Sequence, residues 1–338
     1  MLALICNAPG NLEYRDIQPP PAQPRQAIIR IRRIGICGTD LHAYEGTQPY
    51  FSYPRILGHE LAGELVAADD AVQMRAGEVV TLIPYFSCNT CIACRTGKPN
   101  CCVSIKVCGV HVDGGMVEYL SVPSAALVAG EGLSLDQLAL VEPLAIGAHG
   151  VRRAGINESD VVLVIGAGPI GLAAMGFAQI MGATVIAMDI NESRLQFCRN
   201  NFKIPYTLNA GESRVAEQLQ ELTGGDMATV VIDATGNQKA INGALPFLAH
   251  GGRFVLIGLQ QEAISFSHPE FHKREATLMS SRNATKDDFR YVMQCIKNGS
   301  VHPEKYITHR VCFTDVKTNF NSWLIPETSV IKAMVEIP

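Results

Sequence analysis

The chain is expected to be an α/β protein, with a doubly wound parallel sheet joined to a β-barrel or sandwich of antiparallel strands. Three observations predict this. The length of 338 residues suits two domains better than one. Up to about residue 147, short apolar alternations are broken by Pro- and Gly-bearing turns, the mark of antiparallel strands. From about Gly150 onward, all-apolar strands alternate with helix-length segments, which implies a parallel sheet with right-handed crossovers.

In the first part, residues 27–36, 61–67 and 79–83 read as strands. Arg30, Arg32 and Arg33 cluster, but Ile29 and Ile31 alternate with them, as on the wet face of a strand. Pro19, Pro20, Pro21 and Pro24 form a stiff surface connection. In the second part, strand Val161–Ile165 is followed by a helix over 169–181, whose Pro169 sits in the first turn, where a missing N–H costs nothing. A strand over 184–188 and a helix over 192–201 come next. Strands at 229–233 and 253–257 flank a helix-like stretch at 237–248, and Thr277–Ser280 reads as the last strand of the sheet. Thr285-x-x-Asp288 resembles a capping box opening a helix through Asn298. The strand-like tail is expected to rejoin the first domain. The expected divisions are therefore 1–147, 148–281 and a returning segment, 282–338.

Composition narrows the function classes. At 47% hydrophobic and 18% charged, the chain has ample core for a folded globular protein. A net charge of -4 without a long basic or acidic block favours neither nucleic acid nor an anionic membrane surface. Residues 161–188 carry no charge and suggest a bilayer span at first sight. Five glycines and Pro169 interrupt the run, and Asp160 and Asp189 close it, so a buried strand–helix–strand explains it better. The opening MLALICNAPGN is too short an apolar run for a signal peptide, so a cytoplasmic protein is expected.

Eleven cysteines in such a chain argue for metal or plain burial rather than a disulfide framework. Cys88, Cys91, Cys94 and Cys102 give C-x2-C-x2-C-x7-C within a lobe at about 86–104. Four thiolates at this spacing close a tetrahedron around Zn²⁺, leaving no position for water, so the ion's role there is structural. An iron–sulfur cluster is the rival reading. Cys6, Cys101, Cys108, Cys198, Cys295 and Cys312 read as small buried hydrophobes or free thiols, although Cys101 adjoins a ligand and competes for it in principle.

Gly166-Ala167-Gly168-Pro169-Ile170-Gly171 matches G-x-G-x-x-G between a strand and a helix. Gly166 permits the tight turn, Gly168 lets a pyrophosphate approach the backbone, and Gly171 lets helix and strand pack closely. The pyrophosphate sits on the helix N-terminus, where free N–H groups and the dipole favour an anion. Asp189 follows 18 residues after Gly171, where a carboxylate accepts the ribose hydroxyls of NAD and repels a 2′-phosphate. Arg194 is placed to lie along the adenine ribose. The blander alternative is a tight βα turn that binds nothing.

Residues 37–60 put a thiol (Cys37), an imidazole (His59) and a carboxylate (Glu60) where one divalent ion can hold all three. Three protein ligands leave a fourth position free, which distinguishes a catalytic zinc from a structural one. Thr39 and His42 lie between the ligands and can pass protons. Taken alone, the pattern fits a buried thiol and a satisfied core histidine better, and only the downstream motifs reverse that.

The order of these three constellations, with the GHE-x2-G motif running from Gly58 to Gly63, resembles the zinc-containing medium-chain dehydrogenase/reductase family over essentially the whole chain. The branch it resembles most is that of the sorbitol, threonine and sugar-acid dehydrogenases. Segments 48–55, 109–115, 233–238 and 269–285 point to the bacterial sugar-acid members. One departure is Asp69, where the family usually has Gly; it is expected to alter a turn and not the site.

The resemblance implies a GroES-like β-barrel catalytic domain beside a Rossmann domain, two zinc ions per chain, NAD(H), and a homodimer or homotetramer. It implies Glu60 as third zinc ligand and matches Glu142, in Val141-Glu142-Pro143-Leu144, to a second Glu near the metal; Glu142 also reads as a plain N-terminal helix charge. Cofactor contacts carried over are Ile190, Ala234, Thr235, Ile257, Gly258, Ser281 and Arg282. The expected reaction moves hydride from a secondary alcohol of a sugar acid or polyol to the nicotinamide, while the proton leaves by Thr39 and the ribose to His42. Thr39 has a plainer role as a turn cap, and Asp40 as a group orienting His59. Arg282 and Asn283 face nicotinamide or substrate, or merely tie the domains together. For a substrate carboxylate, His111, Lys106, Lys273 and Arg282 are the candidate cations, with bidentate geometry favouring Arg282. Rival functions are a polyol or threonine dehydrogenase on the same apparatus, a non-catalytic NAD-binding sensor, and a zinc hydrolase that leaves the glycine turn without a job.

Overall fold

The computed structural model describes residues 1–69 and 73–338. The chain divides into two compact units, one formed by Met1–Pro143 together with Ala284–Pro338, the other by Leu144–Asn283.

The first unit is built on strand Gln26–Gly35, where Ala27, Ile29 and Ile31 point to the core in strict alternation. The alternation then slips by one, so the next buried side chain is Ile34. A register shift against strand Glu60–Ala67 between Ile31 and Arg33 is the cause, a bulge that takes up one extra residue. Gln26–Gly35 pairs antiparallel with Glu60–Ala67, with Tyr119–Pro123 and with Lys332–Glu336. Val79–Leu82 and Leu127–Ala129 extend the sheet beyond Glu60–Ala67, and Ile307–Cys312 extends it in parallel beyond Lys332–Glu336. A smaller sheet joins Asn11–Asp16, Leu2–Ala8 and Arg55–Ile56. Strands Tyr85–Phe86 and Lys106–Val107 form a two-stranded ribbon at the base of the cysteine lobe. The core between these sheets holds Leu4, Ile29, Ile31, Ile34, Leu57 and Phe320, all nearly inaccessible to solvent.

The second unit is a six-stranded parallel sheet in the order Tyr206–Asn209, Thr184–Asp189, Val161–Ile165, Ala228–Asp233, Leu248–Leu256, Thr277–Ser280. The chain works outward from Val161–Ile165 to one edge, then returns to its other side at Ala228–Asp233. That reversal opens a crevice at the carboxyl ends of the two central strands, the usual ligand position in such sheets. Residues 161–188 form strand, helix Pro169–Ile180 and strand as their glycine punctuation predicts. Among the described residues, no helix is long and apolar enough to cross a membrane.

The stretch 237–248 differs from expectation. It is helical only over Gln238–Gly243, becomes a 3-10 turn at Leu245–Phe247, and is already strand at Leu248. Pro246 has no N–H to continue the α-helical ladder. Strand Tyr206–Asn209 and the amphipathic helix Val215–Leu222, neither expected from the sequence, complete the sheet edge. Thr285 does cap helix Lys286–Lys297: Thr285 N donates to Asp288 Oδ2 at 2.7 Å, and Asp288 N donates to Thr285 Oγ1 at 3.4 Å. Asp69 lies just past strand Glu60–Ala67, and residues 70–72, on which the expected change of turn falls, are outside the described residues.

Candidate active site and nucleotide turn

The pairing of Gly35 with Glu60, and of Met334 with Gly35, sets the first constellation. Glu60 turns its fully buried carboxylate toward Gly35, where a Cβ would sit 2.0 Å from Oε2; only glycine leaves room. Two residues after Gly35, Cys37 caps helix Gly38–Glu45. Asp40, wholly buried in that helix, accepts hydrogen bonds from Cys37 N at 2.9 Å and Gly58 N at 3.1 Å. One carboxylate thus ties the Cys37 turn to the Gly58–His59 turn. The donor atoms of Cys37, His59 and Glu60 all lie within 4.8 Å of one another.

The donor set suits zinc. A thiol, an imidazole and a carboxylate are three ligands of the kinds zinc takes, and three leave a position open. His59 Nδ1 is buried, has no hydrogen-bond partner and lies 3.8 Å from Asp40 Oδ1. An imidazole facing Asp40 through Nδ1 has Nε2 left for an ion. Burial alone lowers the His59 imidazole, yet the charges of Cys37 and Asp40 outweigh it and raise the ring well above 6.5. The ring is thus held in a strongly negative pocket, which favours a cation.

Glu142 lies in the first turn of helix Val141–Ala154 and outside that three-residue set. It is buried and accepts a hydrogen bond from the Tyr85 hydroxyl. Burial raises its carboxyl to about 7, despite the pull of His59. Burial and the neighbouring Glu142 raise the Tyr85 phenol well above 10.

Two residues of this pocket escape sequence reasoning. Tyr85 reads as an ordinary strand aromatic. Lys332 is fully buried in the C-terminal strand, and its Nζ donates to both oxygens of Glu60 at 2.6 and 2.7 Å and to Ile36 O at 2.9 Å. The available signal was a charge inside an otherwise apolar strand, Lys332-Ala333-Met334-Val335.

Thr39 and His42 lie three residues apart on helix Gly38–Glu45, and so on one face. His42 is exposed, with Nδ1 3.2 Å from Thr47 Oγ1 and 3.4 Å from Glu45. Both positions suit a proton path toward water.

Cys88, Cys91, Cys94 and Cys102 gather with their ligand atoms within 4.8 Å of one another. Sγ distances are 3.4 Å for Cys88–Cys102 and 3.5 Å for Cys91–Cys94. Hydrogen bonds from Thr90 lower the Cys88 thiol to about 5 and Cys91 is lowered too, whereas burial and its neighbouring thiols raise Cys94 to about 11, so the set divides into thiols that ionise easily and one that does not. Cys101 is exposed and outside the set.

The second unit carries the glycine turn. Gly166 has φ +102, which an L side chain rarely adopts, and a Cβ on Gly171 would lie 1.7 Å from Gly166 O. Gly168 precedes Pro169 and Ile170 at the helix start. Asp189 Oδ2 accepts from Ala167 N at 2.7 Å and Oδ1 from Asn191 N at 2.8 Å, so the carboxylate braces the turn itself. Arg194 stands 4.0 Å from it, and Ile190 is exposed beside it. Ala234 and Thr235 follow strand Ala228–Asp233, while Ile257 and Gly258 follow Leu248–Leu256. Asp233 binds these loops together: its carboxylate accepts from Thr235 and Gly236, and its carbonyl from Ile257 N and Gly258 N. Ser281 Oγ, at the end of the last strand, is buried without a hydrogen-bond partner, and Arg282 is exposed next to it. The structure therefore gathers these loop residues at the carboxyl edge of one sheet.

The candidate carboxylate-binding cations divide between the two units. Lys106 and His111 belong to the first unit, Lys273 and Arg282 to the second. His111 Nδ1 already accepts from Val107 N, and Lys273 pairs with Glu270 at 2.9 Å.

This fold and these constellations define a two-domain, zinc-type dehydrogenase. Residues 23–131 match the alcohol dehydrogenase GroES-like domain, and 169–298 match the zinc-binding dehydrogenase domain. The chain belongs to this family of oxidoreductases acting on CH–OH groups, with zinc and NAD(H) expected as cofactors. It is 42% identical to L-galactonate-5-dehydrogenase of Escherichia coli K12 over 336 residues, covering 99% of this chain and 98% of the relative. It is 30% identical to sorbitol dehydrogenase 1 of Saccharomyces cerevisiae, covering 96% and 94%. Among solved structures, an alcohol dehydrogenase (RspB) of Escherichia coli CFT073 complexed with NADH aligns with a TM-score of 0.93 at 29% identity, over 99% of both chains.

Proposed function

We propose that the protein oxidises a secondary alcohol of a sugar acid with NAD⁺, its substrate being L-galactonate, oxidised at C5 to D-tagaturonate. The observation that carries this reading is the three-donor cluster of Cys37, His59 and Glu60, with its orphaned His59 Nδ1, in a chain 42% identical to L-galactonate-5-dehydrogenase. Catalysis is assigned to residues 1–147 with 282–338, and cofactor binding to 148–281.

A bound zinc supplies Lewis acidity to the substrate hydroxyl, and a bound nicotinamide accepts the hydride. Cys37, His59 and Glu60 would hold the ion, with Glu142 in the same buried pocket. Asp40 fixes His59 and the Cys37 turn. Thr39 would take the hydroxyl proton and His42, an exposed imidazole, would deliver it to water. Asp189 selects the unphosphorylated ribose, and the Gly166 turn holds the pyrophosphate. Cys88, Cys91, Cys94 and Cys102 would hold a second, structural zinc.

Thiolate ligation and eleven unpaired cysteines suit a reducing compartment, so we place the protein in the cytoplasm. We expect a homodimer or homotetramer; strand Thr277–Ser280 is an open sheet edge on which a second copy can pair.

A polyol dehydrogenase is the second reading, supported by 30–31% identity to D-xylulose reductases and sorbitol dehydrogenases. A panel of L-galactonate, sorbitol, xylitol and threonine with NAD⁺, followed by NADH absorbance, separates them. The expected result is turnover of L-galactonate far above the rest; preference for a neutral polyol overturns the sugar-acid assignment. Thr39→Ala is expected to lower kcat without lowering zinc content, and equal loss of both makes Thr39 structural.

A further inference from the structure

Lys332 is the one buried lysine or arginine of the metal pocket among the described residues, and the mechanism above does not use it. Both oxygens of Glu60 are within 2.7 Å of its ammonium, which also reaches the carbonyl of Ile36, one residue before Cys37. Its side chain and that of Glu60 are 2% and 0% exposed, so water cannot screen the pair. An ion held by Glu60 must therefore share that carboxylate with Lys332. We propose that Lys332 is a positioning residue that limits how strongly Glu60 donates to the ion, holding the carboxylate in place while keeping the pocket one charge more positive.

The charges give the reason. A thiolate and a carboxylate neutralise a divalent ion, which leaves little attraction for a substrate oxygen that is losing its proton. Lys332, within hydrogen-bond reach of Glu60, adds one positive charge to a pocket that also holds Asp40 and Glu142, so the open position tolerates negative charge better than it would without it. The cost is a looser grip on the metal. Strand pairing fixes the arrangement: Met334 faces Gly35, Gly35 faces Glu60, and Lys332 lies two residues along the same strand.

The inference rests on Glu60 as a ligand, and the test separates the two claims. Zinc-loaded protein is challenged with excess EDTA, and released zinc is followed with a chromophoric indicator. The release phase missing from Cys37→Ser identifies the ion of this pocket. Lys332→Met is expected to slow that phase about tenfold or more, because the freed carboxylate donates fully. Lys332→Arg, which keeps the charge, is expected to restore the wild-type rate. Lys332→Gln, which keeps a donor for the buried carbonyl and carboxylate but not the charge, is expected to slow the phase as Met does, and serves if the Met variant does not fold. A neutral variant that loses this zinc as fast as wild type, or faster, overturns the inference. If wild type has no phase that Cys37→Ser removes, the zinc-site reading itself fails instead.

Discussion

Gly171→Ala tests the glycine turn directly. A Cβ at 171 would lie 1.7 Å from the carbonyl oxygen of Gly166 and 2.9 Å from its carbon. Ordinary contact begins at 3.4 Å, so the Gly166 peptide must retreat by about 1.7 Å (3.4 minus 1.7). The obstacle is backbone, not the tip of a mobile side chain, and Gly166 N is itself tied to Met188 O at 2.8 Å. Overpacking of this kind costs about 1–3 kcal/mol. The same displacement removes the surface on which a pyrophosphate rests. If the strain appears in the bound state alone, NADH affinity falls by about 5- to 150-fold. The assay is a fluorescence titration with NADH, beside a denaturant unfolding curve. Gly176→Ala in the same helix is the control: its Cβ meets nothing within 4 Å, and alanine in a helix interior gains about 0.5–1 kcal/mol. Wild-type NADH affinity and unchanged stability in Gly171→Ala would refute the reasoning.

Three further outcomes are expected. Tyr85→Phe removes the hydrogen bond to buried Glu142; stability falls by about 1–3 kcal/mol in urea unfolding, and the Glu142 carboxyl, already at about 7, moves higher because that bond lowers it. Burial raises the Asp136 carboxyl, but Arg310 at 2.6 Å and Arg33 at 2.8 Å outweigh it and hold it below its ordinary 3.8. A lowered carboxyl stabilises the fold above its unfolded value and loses that contribution as pH falls. Asp136→Asn is therefore expected to cost roughly 1 kcal/mol near neutral pH, with the gap from wild type closing below about pH 4 in unfolding curves. Cys94→Ser is expected to remove about one zinc per chain, by elemental analysis, while the Cys37 ion stays.

Much of the chemistry was legible in short spacings. C-x2-C-x2-C-x7-C and G-x-G-x-x-G are local patterns whose geometry follows from a few consecutive residues, and the strands on either side of the glycine turn announce themselves by apolar runs. Glu60 and His59 were legible as donors because they are adjacent. The edge strand Tyr206–Asn209 was not, because it is four residues long and buries only Leu208; the helix after it, Val215–Leu222, has apolar residues at helical spacing (Val215, Leu219, Leu222) and was missed although its pattern was present. The helix expected over 237–248 failed at Pro246, where the missing N–H outweighs the apolar pattern.

The sequence by itself determined the donor types, their order and the βα nucleotide turn, since each depends on residues close along the chain. Only the tertiary structure decided which charges face one another. Lys332 reaches Glu60 across 272 residues, and Tyr85 reaches Glu142 across 57. The first pair exists because antiparallel register brings Lys332–Glu336 and Glu60–Ala67 onto either side of Gln26–Gly35; the second because helix Val141–Ala154 buries its first turn against Tyr85. No one-dimensional pattern encodes that register, although it fixes the electrostatics of the pocket.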